Sequence, residues 1–154
     1  MSKRAEATFE TTRHIRDHCL CLHAQRAARV LARRFDDALR DLALTSGQFS
    51  LLTSLNRPKP ARMGSVAELL AMDRTTLTAA LKPLERRGLI KVSVDPEDRR
   101  GRMLVLTASG RALLAAAVPI WRRTHAGLDR TLAGSDGERL RRQLRALSVA
   151  DAPA

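Results

Sequence analysis

Residues 64–107 read GSVAELLAMDRTTLTAALKPLERRGLIKVSVDPEDRRGRMLVLT, and the order of signals in that stretch decides the fold. Ser65 followed by Glu68 fits a capping box and predicts a helix over 65–71, while Asp73 caps a second helix predicted over 74–87. Gly88 stands where a left-handed residue would end that helix. Two apolar, β-branched runs, LIKVSV and MLVLT, flank the turn-forming Asp95-Pro96-Glu97-Asp98 and Gly101, which predicts a β-hairpin with Arg99, Arg100 and Arg102 at its tip. A helix able to enter the major groove, followed by a basic hairpin able to reach the adjacent backbone or minor groove, is a device for reading duplex DNA.

On the second helix successive residues turn by about 100°, so Leu77, Leu81 and Leu84 share one face and pack inward. The opposite face gathers Thr75, Thr78, Ala79, Lys82 and Arg86, with Arg74 and Thr76 at the first turn. These side chains hydrogen-bond phosphates and base edges, although the same pattern also describes an ordinary solvated helix face. Pro83 removes a hydrogen bond to the Ala79 carbonyl and should bend the axis. In the hairpin, arginines suit a narrow minor groove. The blander reading is a solvated loop in which Asp98 pairs with a neighbouring arginine, and both can hold together.

Outside this segment, residues 1–46 contain neither glycine nor proline. The near-helical recurrence of Ile15, Cys19, Leu22, Val30, Leu31, Phe35, Ala38, Leu39 and Leu42 predicts one helix from about Thr12 to Leu42, a rod of roughly 45 Å. Thr45 with Gln48, Thr107, and Ser135 with Glu138 open helices predicted over 46–55, 108–132 and 135–148, and NRPKPAR at 56–62 reads as a loop. The last two helices carry Leu113, Leu114, Val118, Trp121, Leu128, Leu132, Leu140, Leu144 and Leu147. The fold class is therefore mainly α, of the α+β type: a winged helix-turn-helix over 45–107 between an N-terminal dimerisation helix, 1–44, and C-terminal dimerisation helices, 108–154. So small a monomer cannot cover such amphipathic helices, which leads to the expectation of an intertwined homodimer.

Composition narrows the partner. Lysine and arginine number 28 against 16 acidic residues, a formal net charge of +12, and arginine supplies nearly all of the positive side. That balance favours a polyanion, and the planar guanidinium suits phosphates and guanine edges. Three phenylalanines, one tryptophan and no tyrosine are poor equipment for stacking single-stranded bases, so duplex DNA is the better fit. No apolar run approaches the roughly 20 residues of a membrane span and the polar start is no signal peptide, so the expectation is a cytoplasmic protein with reduced cysteines and no membrane partner.

Several of these residues carry a family resemblance: Leu44-Thr45 with Gln48, Asp73-Arg74-Thr75-Thr76-Leu77-Thr78, Leu84-Glu85-Arg86-Arg87-Gly88-Leu89-Ile90, Asp98-Arg99-Arg100, and Leu106-Thr107 with Gly110. Over about residues 12–148 the chain resembles the MarR (multiple antibiotic resistance regulator) family. The resemblance implies a homodimer that binds a pseudo-palindromic operator, usually as a repressor released by a small phenolic or other aromatic effector and sometimes by oxidation. By position it implies that Arg74, Thr75, Thr76, Thr78, Lys82, Arg99 and Arg100 meet DNA; Arg86 and Arg102 join them from the helix face and hairpin tip. It also implies an effector crevice between the dimer helices and the DNA-binding lobe, for which His14, His18, Cys19, Phe49 and Trp121 are the candidate lining residues. For Phe49 and Trp121 the plainer reading is a packed core, since large rings at helical spacing usually just pack.

Cys19 and Cys21 allow a redox-responsive alternative, but two positions apart on one helix they point about 200° apart, a poor geometry for a disulfide between them. His14, His18 and Cys21 share a face at i, i+4 and i+7, too little by itself for a metal site, so no metal or other cofactor is expected. A sequence-tolerant architectural DNA-binding protein is the competing function. An enzyme is not expected, because no phosphate-cradling glycine loop or nucleophile and base constellation is present.

Overall fold

The computed structural model describes residues 7–132 and 136–149. Helix α1 (Phe9–His18) and helix α2 (Leu20–Ala38) lead through a 3-10 turn at Arg40–Leu42 to α3 (Ser46–Leu55). Strand β1 (Ala61–Arg62), α4 (Met63–Leu69), α5 (Arg74–Arg86), β2 (Ile90–Val94) and β3 (Arg102–Leu106) follow, and α6 (Ala108–Thr131) and α7 (Gly137–Val149) close the described chain. The three strands form an antiparallel sheet of order β1-β3-β2. Ile90 pairs with Leu106 at the hairpin base and Val94 with Arg102 toward its tip.

Three helix starts follow their caps. Thr45 and Gln48 make the reciprocal capping box of α3. The Asp73 side chain accepts from Thr76 N–H at α5, and Thr107 accepts from Gly110 N–H at α6. Gly88 adopts φ +67°, the left-handed conformation its position predicts. Two helix readings need correction. The helix expected over Thr12–Leu42 is broken at Cys19, whose backbone is extended (φ −73°, ψ 107°); its sulfur accepts from Leu22 N–H and caps α2, although no glycine or proline marks the break. Ser65 is not the cap of α4: Arg62 holds the cap position, and the Ser65 hydroxyl instead donates back to the Arg62 carbonyl at 2.8 Å. Ser65 and Glu68 have the right spacing, but β1 fixes where the extended chain ends. The expected Ser135 cap lies outside the described residues; Asp136 Oδ1 accepts from the N–H groups of Glu138 and Arg139 at the start of α7.

Leu39, Leu51, Leu52, Val66, Leu77, Leu81, Leu84, Leu104, Leu106 and Leu114 belong to one buried cluster. The core thus lies in the middle of the chain, under α5 and the sheet. Thr107 ties the lobe to α6: its N–H donates to the Leu89 carbonyl and its hydroxyl lies 2.7 Å from the Gly88 carbonyl. Gly110 sits against the Leu89 carbonyl, where a Cβ would overlap Leu89 O and crowd Leu106 Cδ1 at 2.6 Å. At the other side, Arg87 Nη1 donates to the carbonyl of Ala43, a left-handed residue at φ 50°.

No residue of α1, α2 or α7 is buried. Ile15, Leu20, Val30, Leu144 and Leu147 are exposed apolar side chains on these helices. None of the described helices is long and apolar enough to cross a membrane.

Candidate nucleic-acid interface

Helix α5 faces both ways as its sequence requires. Leu77, Leu81 and Leu84 are buried, while Arg74, Thr75, Thr76, Thr78, Ala79, Lys82 and Arg86 lie on the outward side. The helix runs through Pro83 to Arg86, and Arg87 N–H donates to the Pro83 carbonyl at 3.2 Å. Asp73 grips the first turn twice, accepting from Thr76 N–H at 2.8 Å and from the Thr76 hydroxyl at 2.6 Å. Those hydrogen bonds, the hydroxyl first, hold its carboxyl below the ordinary carboxylate value. The Thr78 hydroxyl donates to the Arg74 carbonyl at 2.7 Å.

The hairpin is shaped by two carboxylates. Asp95, buried at the base of the loop, accepts from Glu97 N–H at 3.0 Å and pairs with Arg62 Nε at 3.1 Å. Asp98 accepts from Arg100 N–H, and Gly101 N–H donates to the Asp98 carbonyl at 2.8 Å. The expected pairing of Asp98 with an arginine side chain is therefore replaced: Asp98 builds the turn through backbone, and the arginine partner is Arg62, which binds Asp95 and Glu97. Sequence reasoning misses Arg62 because a two-residue strand inside NRPKPAR has no periodicity; the pairing of Ala61 with Leu104 and Arg62 with Met103 creates it. Gly101 lets the loop close tightly here, since a Cβ would lie 3.0 Å from Asp95 Cβ and 3.1 Å from the Asp98 carbonyl and one of them would have to shift.

At the tip, Arg99, Arg100 and Arg102 are all exposed. Arg102 Nη1 folds back to donate to the carbonyls of Arg99 and Gly101, at 3.2 and 2.9 Å, so part of that guanidinium holds the loop. A cleft of about 300 Å³ brings Arg74 at the start of α5 together with Arg62, Arg100 and Arg102. Glu68, Asp95 and Asp98 line the same cleft. Arg62 is held by Asp95 and Glu97 and Arg102 by the loop carbonyls, so Arg74 and Arg100 are the cations placed between recognition helix and hairpin to meet a phosphate backbone.

The remaining candidates divide into two places. Phe49 and Trp121 line an open crevice of about 540 Å³ between α3 and α6, with Asn56, Arg111, Val118 and Arg122. Trp121 is 38% exposed there and lies against the His125 ring. His14 and His18 stack at 4.2 Å in a separate cleft with Phe9 and Arg13. Cys19 lines neither, so one chain does not unite the five. Among the described residues no three His, Cys, Asp or Glu side chains are grouped to hold a metal ion.

A family model described as "MarR family" matches residues 44–101. The chain is 36% identical over 85 residues to the transcriptional repressor NicR of Pseudomonas putida, a stretch covering 55% of this chain and 54% of that protein. The chain thus spans about half the length of the first curated relatives it matches. The Mycobacterium tuberculosis regulator MosR, solved in complex with DNA, superposes with a TM-score of 0.73 at 38% identity, covering 86% of this chain and 96% of that one. Bordetella bronchiseptica BpsR, whose DNA binding is regulated by 6-hydroxynicotinic acid, superposes with a TM-score of 0.70 at 28% identity, covering 89% and 96%.

Proposed function

This chain belongs to the MarR family, and on that premise we propose that it is a cytoplasmic, sequence-specific regulator of transcription that binds duplex operator DNA and is released by a small aromatic effector. The observation that carries the reading is the cleft joining Arg74 of α5 to Arg100 and Arg102 of the wing. With α5 in the major groove, the wing reaches the flanking backbone or minor groove, so one lobe makes both contacts. Arg74, Thr75, Thr76, Thr78, Lys82, Arg86, Arg99 and Arg100 face DNA; Arg102 does so while bracing the tip.

Two lobes act together. The exposed apolar residues of α1, α2 and α7 pack against a second copy, so that 1–44 and 108–154 form one dimerisation element around the DNA-binding segment 45–107. The function is that of a repressor, the role named for the similar NicR. The effector enters the crevice lined by Phe49 and Trp121, which lies between α3 of the DNA-binding lobe and α6 of the dimer element. His14, His18 and Cys19 contribute to an effector site only where a second copy closes over it. An effector that prefers the non-binding form 100-fold, about 2.7 kcal/mol, brings an equilibrium of about 1:99 to about 1:1 and so relieves repression substantially. Titration of a selected operator fragment with protein, followed by addition of 6-hydroxynicotinic acid and other aromatic acids, tests the reading; binding that no aromatic ligand weakens would contradict the effector part.

A second reading of the release signal has its own observation. The chain breaks at Cys19, so its extended backbone and its capping sulfur, and not a continuous helix, set its relation to Cys21. A hydroperoxide oxidising both thiols to a disulfide, with reduction of the peroxide to alcohol and water, would pull the Cys19 sulfur from its capping position. DNA binding lost on peroxide treatment and retained in C19S supports it; equal behaviour of both proteins contradicts it.

A further inference from the structure

Two of the three threonine hydroxyls on the outward face of α5, those of Thr76 and Thr78, already donate within the protein. The Thr78 hydroxyl donates to the Arg74 carbonyl at 2.7 Å, and the Thr76 hydroxyl donates to Asp73 Oδ2 at 2.6 Å. While that bond is kept, Thr78 offers a base edge a lone pair or its methyl group. Ala79 beside it offers a methyl group alone. Arg74, Thr75, Thr78, Ala79 and Lys82 line a shallow groove of about 310 Å³ along the helix, with the two cations at its ends. Its middle presents the Thr78 and Ala79 methyl groups beside the Thr75 hydroxyl, while its ends carry the charge.

In the major groove the one apolar feature of a base pair is the C5 methyl of thymine. Guanine and adenine present N7 acceptors there, which need donors that Thr78 and Ala79 lack. We propose that the base pair facing Thr78 and Ala79 is A·T, read through the thymine methyl, and that this contact sets the preference of the half-site centre. The proposal rests on the duplex-DNA reading above and specifies what that reading recognises. Arg74 and Lys82, one turn to either side, meet phosphates or guanine edges flanking the thymine.

Burial of one methyl group corresponds to about a fourfold change in affinity. The test uses duplexes selected from genomic fragments, with uracil replacing thymine at each position in turn, so that a single methyl is removed with no change in hydrogen bonding. The wild-type protein is expected to lose about fourfold at one position in each half-site. T78S and A79G should each be compared on the thymine and uracil duplexes; the ratio within one variant is insensitive to any loss of helix stability. Disappearance of the penalty in one of these variants supports the proposal. Sequence-selective binding with no uracil penalty, or with a penalty unchanged in both variants, overturns it and leaves the regulator reading standing. Equal affinity for selected and random duplex overturns both.

Discussion

Arg62 Nε lies 3.1 Å from Asp95 Oδ2, which joins the two-residue strand β1 to the base of the wing. The Asp95 side chain is only 5% exposed whereas that of Arg62 is 62% exposed. Removing the arginine therefore leaves a buried carboxylate with backbone support alone. Arg62→Ala is expected to cost about 1–3 kcal/mol, the penalty of a buried polar group losing its partner, and to weaken DNA binding because the wing is released. Glu97→Ala removes the outer, exposed half of the same bridge and should change stability by less than about 1 kcal/mol. Thermal melts of both variants with parallel DNA titrations check the ordering; equal losses would contradict it.

The glycine at 110 gives a sharper contrast. Gly110→Ala drives a methyl into the Leu89 carbonyl, a backbone atom that cannot move without displacing the α5-to-β2 turn. Overpacking of this kind costs about 1–3 kcal/mol or more. Gly47→Ala, whose new methyl would approach nothing nearer than Thr45 Oγ1 at 3.9 Å, should leave the melting temperature unchanged or slightly raised.

The Asp73 cap makes the start of α5 sensitive to acid. Its folded-state pKa is lowered by the Thr76 hydroxyl and backbone N–H, so the cap stabilises the folded protein above the ordinary carboxylate value of 3.8. That contribution falls away as pH drops below 3.8 through the lowered folded value. Asp73→Asn keeps an acceptor at the cap and should lose this part of the acid dependence while retaining most of the stability at pH 7; Asp73→Ala should lose both. Chemical denaturation from pH 7 to pH 3 distinguishes them.

The wing arginines differ in what they do. Arg99→Ala and Arg100→Ala should each lower DNA affinity and flatten the slope of log K against log salt by about 0.9 for each phosphate left without its guanidinium. Arg102→Ala should weaken binding with a smaller change of slope, because its guanidinium is partly committed to the carbonyls of Arg99 and Gly101. Wild-type affinity in both Arg99→Ala and Arg100→Ala would contradict the wing assignment.

The exposed stripe of α7 predicts the oligomeric state. Sedimentation should give about twice the 17.0 kDa of one chain. Leu144→Asp combined with Leu147→Asp should yield a folded monomer, since both side chains are exposed in the single chain and carry none of its core. A monomeric wild-type protein would contradict the dimerisation element.

How much was legible in the sequence depended on whether the signal was local. Thr45 with Gln48, Asp73 and Thr107 located three helix starts because capping is settled within four residues. Leu77, Leu81 and Leu84 located the inner face of α5, and with it the exposed residues opposite. Cys19 broke a helix that periodicity carried through it, because a residue other than glycine or proline leaves no composition signal when it turns extended. Ser65 and Glu68 mimicked a cap that tertiary pairing overrode. Arg62 and Asp95 are 33 positions apart and meet only because β1 pairs with β3, so no window on the sequence contains them both. Phe49 and Trp121 were legible as candidates for one crevice, whereas His14 and His18 stack in a different cleft.

The regulator function requires two copies of this lobe to read one specific duplex. Fragments of genomic DNA retained by the protein at physiological salt, compared with random duplex of equal length, test it directly. Recovery of a two-fold-related sequence with half-sites about one helical turn apart is expected, with affinity at least about 10³ above random duplex. Equal affinity for both would contradict it and identify a sequence-tolerant DNA-coating protein instead.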